Sequence, residues 1–235
     1  MATFQSIGCV PRDASVDLRV VTGNAGKGFV QTTTAGVVRA LPVVPDETSL
    51  VEGLQEGEAW ARRALFDRYA AHVERILRRI LGPDHELADV LHDTFVQAYT
   101  STSSIRDAKA IKGWLSTVAA FTARGVIRKR KLRGWLRFWE PDELPEEQAP
   151  VAEPITRETV HRSYKILDGL TADERIAFSL RFIEGMDLTE VAGASGCSLA
   201  TVKRRLARAE KKFVEAARGD ELLGQWIEGG RWANR

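Results

Sequence analysis

The chain has 235 residues, with 34 Lys and Arg against 32 Asp and Glu, so its net charge is only +2. That near-balance excludes a global polycation, and two cysteines are too few for a disulfide framework or a cysteine-built zinc site, which fits a reducing compartment. No apolar run is long enough to span a membrane, and no basic region followed by a hydrophobic core opens the chain, so neither membrane insertion nor a secretory signal is expected and the expected location is cytoplasmic.

Residues 1–48 form an N-terminal extension. SVDLRVV and GFVQTTTAGVVRAL are compatible with strands, though too few for a stable sheet alone, and disorder or a regulatory arm is the expectation. VTGNAGKG resembles a phosphate loop but fails it, because only two residues separate Gly23 from Gly26 and no Ser or Thr follows Lys27. The first helical module covers 49–139, with helices expected over 58–81, 86–100 and 110–133. In ADVLHDTFVQAY, Leu87, Val90, Leu91, Thr94 and Ala98 share one face, and Asp89, His92, Asp93 and Val96 share the other. An apolar Val96 beside two carboxylates suggests a partner surface, although the spacing alone is that of an ordinary acidic solvent face. Metal binding or acid catalysis needs a ligand set that does not accompany them, so neither a metal, a cofactor nor an enzymatic activity is expected.

From Ile111 to Trp139 there is no Asp or Glu, yet eight Lys and Arg are present. On a helix, Ile111, Leu115, Val118, Ala119, Thr122 and Val126 form the inward stripe, and Thr117, Ala120, Phe121, Arg124, Arg128 and Lys131 the outward one. An outward Phe among cations suits stacking on opened or single-stranded DNA; packing on a neighbouring segment is the other reading. The stretch 140–157 follows, rich in Pro and acidic residues, and reads as an extended tether.

The second module covers 158–218, with helices expected over 158–169, 172–184, 188–194 and 199–218. Thr171 with Glu174, and Asp187 with Glu190, are capping-box pairs, and Ser198 is a third N-cap. A short helix, a Gly-containing turn and a longer basic helix make the pattern of a DNA-binding helix-turn-helix. In the last helix Val202, Leu206, Ala209 and Phe213 face inward. Arg204 and Arg208 lie opposite, with Ala200 and Thr201 near the end that meets base edges. Lys203, Arg205, Lys211 and Lys212 are expected to meet phosphates or water. The tail, 219–235, reads as a short amphipathic helix that either covers DNA-binding surface, docks a regulator or caps the second module.

Four stretches in this order resemble bacterial sigma factors of the extracytoplasmic-function class. GEAWARRALFDRYAAHVERILRRILG resembles the first helices of the family's promoter-melting domain, and ADVLHDTFVQAY its core-binding helix. KGWLSTVAAFTARGVIRKRK resembles the helix that follows, and LTADERIAFSLRFIEGMDLTEVAGASGCSLATVKRRLARA the second domain. The resemblance covers residues 53–137 and 160–217. His92, Asp93, Tyr99 and Phe121 depart from the residues usual at their positions, and Phe121 alters a surface expected to meet DNA.

The resemblance implies an all-α fold of two small helical domains, region 2 and region 4, joined by a flexible acidic linker. It implies a factor that binds core RNA polymerase through the beta-prime and beta subunits, directs it to promoter DNA and helps open the duplex, with an anti-sigma factor as a further partner. Carried over by position, Asp89, His92, Asp93 and Val96 dock the polymerase. Ser104, Arg106 and Lys109 of the loop 100–110, with Phe121, Arg124, Arg128 and Lys131, meet the −10 element. Ser198, Thr201, Lys203, Arg204 and Arg208 read the −35 element. A stand-alone helix-turn-helix regulator and a small DNA-processing enzyme are the alternative functions; the enzyme lacks the carboxylate cluster or activated nucleophile it requires.

Overall fold

A computed structural model describes residues 19–22, 28–31, 41–42, 46–136 and 154–229. Residues 137–153, which include most of the acidic linker 140–157, the loop Gly23 to Lys27 and the end of the tail with Trp232 lie outside the described residues. Two compact units result, residues 1–46 and 47–235.

In the first unit, β1 (Arg19–Thr22), β2 (Gly28–Gln31) and β3 (Leu41–Pro42) make an antiparallel sheet in the order β1-β2-β3. Val20 pairs with Val30, and Val30 with Leu41. The β-prone RVVT and GFVQ segments, compatible with strands on sequence grounds, thus pair with each other.

The second unit is all-α. Its first module holds α1 (Glu47–Gln55), α2 (Ala59–Leu81), α3 (Leu87–Thr100) and α4 (Ile111–Leu136). Its second holds α5 (Pro154–Asp168), α6 (Ala172–Phe178), α7 (Leu188–Ser195), α8 (Leu199–Arg218) and α9 (Glu221–Gly229). Along α2, Leu65, Val73, Ile76, Leu77 and Ile80 recur at helical spacing and are fully buried against α3 and α4. Phe95 of α3 lies at the centre, its ring 4.8 Å from Phe66 and 6.0 Å from Tyr99.

Helix ends follow the side chains that satisfy them. Both capping boxes form: Thr171 accepts from the Glu174 amide, Asp187 accepts from the Glu190 amide, and each glutamate reaches back to its cap. The Ser198 hydroxyl accepts from the Thr201 amide at 3.3 Å and starts α8. Gly196 ends α7 with φ +62°, the left-handed turn that reverses the chain into α8. The helix expected over 172–184 is α-helical only to Phe178. Ser179–Ile183 then forms a π-turn, closed by the Glu184 amide on the Ser179 carbonyl.

Gly193, inside α7, has open space where a Cβ would project. No close approach requires glycine there. Gly193→Ala is therefore expected to stabilise the fold by about 0.4–1 kcal/mol, by restricting the unfolded chain. Urea denaturation of the two proteins measures it; a lower midpoint for the alanine variant contradicts it.

The two modules are not independent. Ile176, Ala177 and Leu180 of the second module belong to the same buried apolar cluster as Leu65, Ile76 and Leu115 of the first. A second cluster, with Leu167, Phe178, Phe213 and Leu223, joins α5, α6, α8 and α9. α4 packs on α2 and α3 with one side and on α7 and α6 with the other. Ala120, expected to face outward, is accordingly fully buried, and Thr122 and Val126, expected inward, are half-exposed.

Polar groups complete this junction. The buried Arg175 guanidinium donates to the Ile80 and Leu81 carbonyls, 2.8 Å each, at the C-terminal end of α2. A cation suits that end of a helix dipole, and Asp168 pairs with the same guanidinium. The Tyr164 hydroxyl donates to the Arg79 carbonyl at 3.1 Å, and burial pushes its phenol pKa up. Gly82, φ +84°, admits the Tyr164 ring: a Cβ there would lie 2.7 Å from it.

Candidate nucleic-acid interface

The outward face of α3 carries Asp89, His92, Asp93 and Val96, all exposed, with Val96 at 47%. Leu87, Val90, Thr94 and Ala98 are buried and Leu91 half-buried, so this amphipathic pattern orients the helix as the sequence implies. Phe66 of α2 is also 41% exposed while touching Phe95, and adds apolar surface to the module.

The loop between α3 and α4 is two short 3₁₀ turns, Thr102–Ser104 and Ala108–Ala110. Asp107 starts the second by accepting from the Lys109 amide at 2.9 Å. Ser104, Arg106 and Lys109 are exposed. The Trp114 indole N–H donates to the Ser104 hydroxyl at 2.9 Å, which fixes the loop against α4. Beside it a cleft of about 650 Å³ runs between the modules, lined by Arg75, Arg106, Trp114 and Glu184 among others. His72 also lines it and bonds the Ser116 hydroxyl at 2.9 Å. Burial, with Lys112 and Arg75 nearby, holds the His72 pKa below its ordinary value.

The cations of α4 divide. Phe121 is 61% exposed, and Arg128 and Lys131 are exposed. Arg124 is half-buried: its Nε lies 2.8 Å from Asp173 Oδ1, and it donates to the Ser195 carbonyl at 3.1 Å. The Thr117 hydroxyl lies 3.1 Å from the Gly113 carbonyl of its own helix and 3.3 Å from the Gly193 carbonyl, and Lys131 donates to the Leu170 carbonyl. Arg130, which the sequence did not single out, is structural; it clasps Asp84 and, at 2.7 Å, Glu86. Its hydrogen bond and charge hold the Glu86 carboxyl below the usual range. Arg124, Thr117 and Ala120 therefore do not lie on the open face that helical periodicity draws, because the second module covers that part of it.

On α8 the division is cleaner. Val202, Leu206, Ala209 and Phe213 are buried, while Ala200, Lys203, Arg204 and Arg208 are exposed. Arg205 and Lys212, expected to meet phosphates or water, instead pair with Asp173 (3.2 Å) and Glu174 (2.8 Å). Burial raises the Glu174 carboxyl, but Lys212 and the Thr171 groups outweigh it and leave the pKa lowered. The Ser198 hydroxyl also meets that of Thr201 at 3.0 Å, so both are committed to the helix start. Asp173 is the residue missed: it faces Arg124, Arg128 and Arg205 together, a convergence of distant segments that no local pattern signals. Among the described residues no group of His, Cys, Asp and Glu is arranged to hold a metal ion, and no helix is long and apolar enough to cross a membrane.

Comparison with known proteins agrees with this layout. Residues 65–133 match the model of sigma-70 region 2, and residues 164–213 that of sigma-70 region 4. The ECF RNA polymerase sigma-E factor of Haemophilus influenzae is 26% identical over 180 residues, covering 70% of this chain and 92% of that protein. Its counterpart in Escherichia coli K12 is 27% identical over 171 residues, covering 69% and 89%. A solved structure of CnrH in complex with the cytosolic domain of CnrY has 22% identity and a TM-score of 0.50, covering 75% of this chain and 99% of that one, and shares its fold. The chain belongs to the sigma-70 family, in its extracytoplasmic-function class.

Proposed function

We infer that this chain binds core RNA polymerase, carries it to promoters of a particular sequence and helps open the DNA there. The observation that carries this reading is the pair of matched modules, region 2 then region 4, the second presenting Arg204 and Arg208 opposite a buried stripe. α8 enters the major groove of the −35 element: Arg204 and Arg208 donate to base edges, and Lys203 and the exposed end around Ala200 approach the backbone. Ser198 and Thr201 set the start of that helix and so its insertion. On region 2, the loop with Ser104, Arg106 and Lys109 receives a flipped base of the −10 element, and the exposed Phe121 and Arg128 track the separated strand by stacking and charge.

Flipping a base costs a few kcal/mol, which polymerase contacts offset, so opening belongs to the complex. Asp89, His92, Asp93 and Val96 supply the polymerase dock, acidic with an apolar centre, suited to a basic and partly apolar counterpart. The chain acts without catalytic groups of its own, in the cytoplasm with its template. An anti-sigma factor is a natural regulator of such a dock.

The test is in vitro transcription with purified core polymerase on a genomic DNA library, with association measured separately. Asp93→Arg is expected to weaken competition against another sigma factor for core by about tenfold or more, since it sets like charges face to face. Binding of duplex DNA through α8 stays intact. Unchanged competition shows that this face is not the dock, and failure of the wild-type chain to associate with core or initiate transcripts overturns the function.

A further inference from the structure

Under the function proposed, the first turn of α8 leads the helix into the groove, yet it offers base edges little polar chemistry. The Ser198 hydroxyl accepts from the Thr201 amide at 3.3 Å and lies 3.0 Å from the Thr201 hydroxyl, so both hydroxyls serve the helix start. Ala200 is exposed and has no polar side-chain atom. What remains is Leu199, 42% exposed and, among the described residues, the one large apolar side chain left open on α8. The exposed cations Lys203 and Arg204 follow only a turn later.

The fold gives Leu199 no packing duty. The apolar residue that staples a helix start is the one before the cap. Here that residue is Cys197, which packs on the same buried cluster that holds Val202. Leu199 belongs to neither apolar cluster of the chain's described residues. It sits just past the left-handed Gly196 turn and the Ser198 cap, at the end of a reading helix that meets base edges.

Of the groups that base pairs display in the major groove, one is apolar: the C5-methyl of thymine. The thymine O4 acceptor beside it stays hydrated next to a leucine. The cytosine N4 amine at the same place loses its water to a side chain that cannot accept its proton, and the two hydroxyls of the turn are engaged with each other. We propose that Leu199 is a specificity-determining residue that closes on a thymine methyl in the upstream element and so selects thymine over cytosine at one position. The proposal rests on the sigma-factor reading and adds the class of base that the tip of α8 takes. Ala200 lets the helix end come close, Leu199 reads by apolar contact, and Arg204 reads a different base by hydrogen bonds.

The experiment deletes the methyl group chemically. The full chain bound to core polymerase selects its upstream element from a duplex library randomised over that region, and the free chain is put through the same selection. Each thymine of the enriched element is then replaced singly by deoxyuridine, which keeps every hydrogen-bonding group and removes the methyl. One replacement is expected to weaken binding about fourfold, the effect of withdrawing one methyl-sized group from an apolar contact. The others should change it by less than about twofold. Leu199→Ala should bind the thymine duplex about fourfold less tightly and no longer distinguish thymine from deoxyuridine at that position, the signature of a direct pair in a double-mutant cycle. Leu199→Val, which keeps a branched apolar tip, should retain part of the preference.

A merely structural effect on the helix start lowers affinity for both duplexes alike and leaves the methyl penalty in place; that result in Leu199→Ala overturns the proposal. So does an enriched element without thymine, or a wild-type chain indifferent to every deoxyuridine. Should Leu199→Ala lose helix content by circular dichroism, the wild-type scan and Leu199→Val decide on the same terms. Failure of the chain to associate with core overturns the sigma-factor reading, while the free-chain selection still judges Leu199. Enrichment of no element by either form overturns both.

Discussion

Phe95→Ala is expected to lower the unfolding free energy by about 3–5 kcal/mol, the range for truncating a buried aromatic ring. Phe95 is 2% exposed, and its ring stacks at a tilt against Phe66 and Tyr99, so collapse around the void would require those two aromatic residues, on two helices, to repack. Domains of this size hold only about 5–15 kcal/mol in total, and such a loss populates unfolded chain at physiological temperature. Because α3 carries the proposed dock on its other face, polymerase association should fall with stability. The neighbouring Val96→Ala is the contrast. Val96 is 47% exposed, so its truncation should leave the urea midpoint nearly unchanged while weakening association with core. Chemical denaturation and core-competition assays on the two variants separate packing from docking. A midpoint for Phe95→Ala within error of wild type would refute the packing argument.

Arg204→Ala is expected to cost about 1–3 kcal/mol in recognition of the cognate upstream element, tenfold or more in affinity, and to relax preference at one base position. The exposed guanidinium lies opposite the buried Val202 and Leu206, so its loss leaves the core of the module untouched. Lys203→Ala, at a neighbouring exposed position, should instead weaken binding uniformly across sequences and reduce the salt slope by about one. Binding measured at several salt concentrations on cognate and scrambled duplexes distinguishes the two. If Arg204→Ala transcribes the cognate promoter as well as wild type, the base-reading role is wrong.

Much of the helical layout was legible in the sequence because its ends are marked chemically. Thr171, Asp187 and Ser198 each announce a helix start, and each makes its predicted bond. α8 reads from its pattern alone, since every inward position is apolar and most others are charged. α1 was not legible: ETSLVEGLQ is nine residues long, and it is held by packing of Leu50, Val51 and Leu54 rather than by local propensity. The strands of the extension depend on pairing between segments, which spacing within either one does not reveal.

The largest gap concerns α4. Ser116, Ala120 and Ala123 are small residues that look neutral in sequence, yet all three are buried. They let α4 be covered on two sides, so one helix serves as core for two modules. Arg124 and Arg205 drew notice as candidate phosphate contacts, and both chose a carboxylate brought to them by the fold. Phe121, by contrast, stays exposed among its cations, where the sequence placed it.

One dimension of the chain bounds what it can serve. α4 ends at Leu136 and α5 begins at Pro154, so residues 137–153 are the whole covalent leash between the modules. Fully stretched, that leash spans at most about 60 Å between the two helix ends, to which the modules add their own width. The two halves can travel apart only so far, and a promoter whose elements demand a wider stance is out of reach whatever its base sequence.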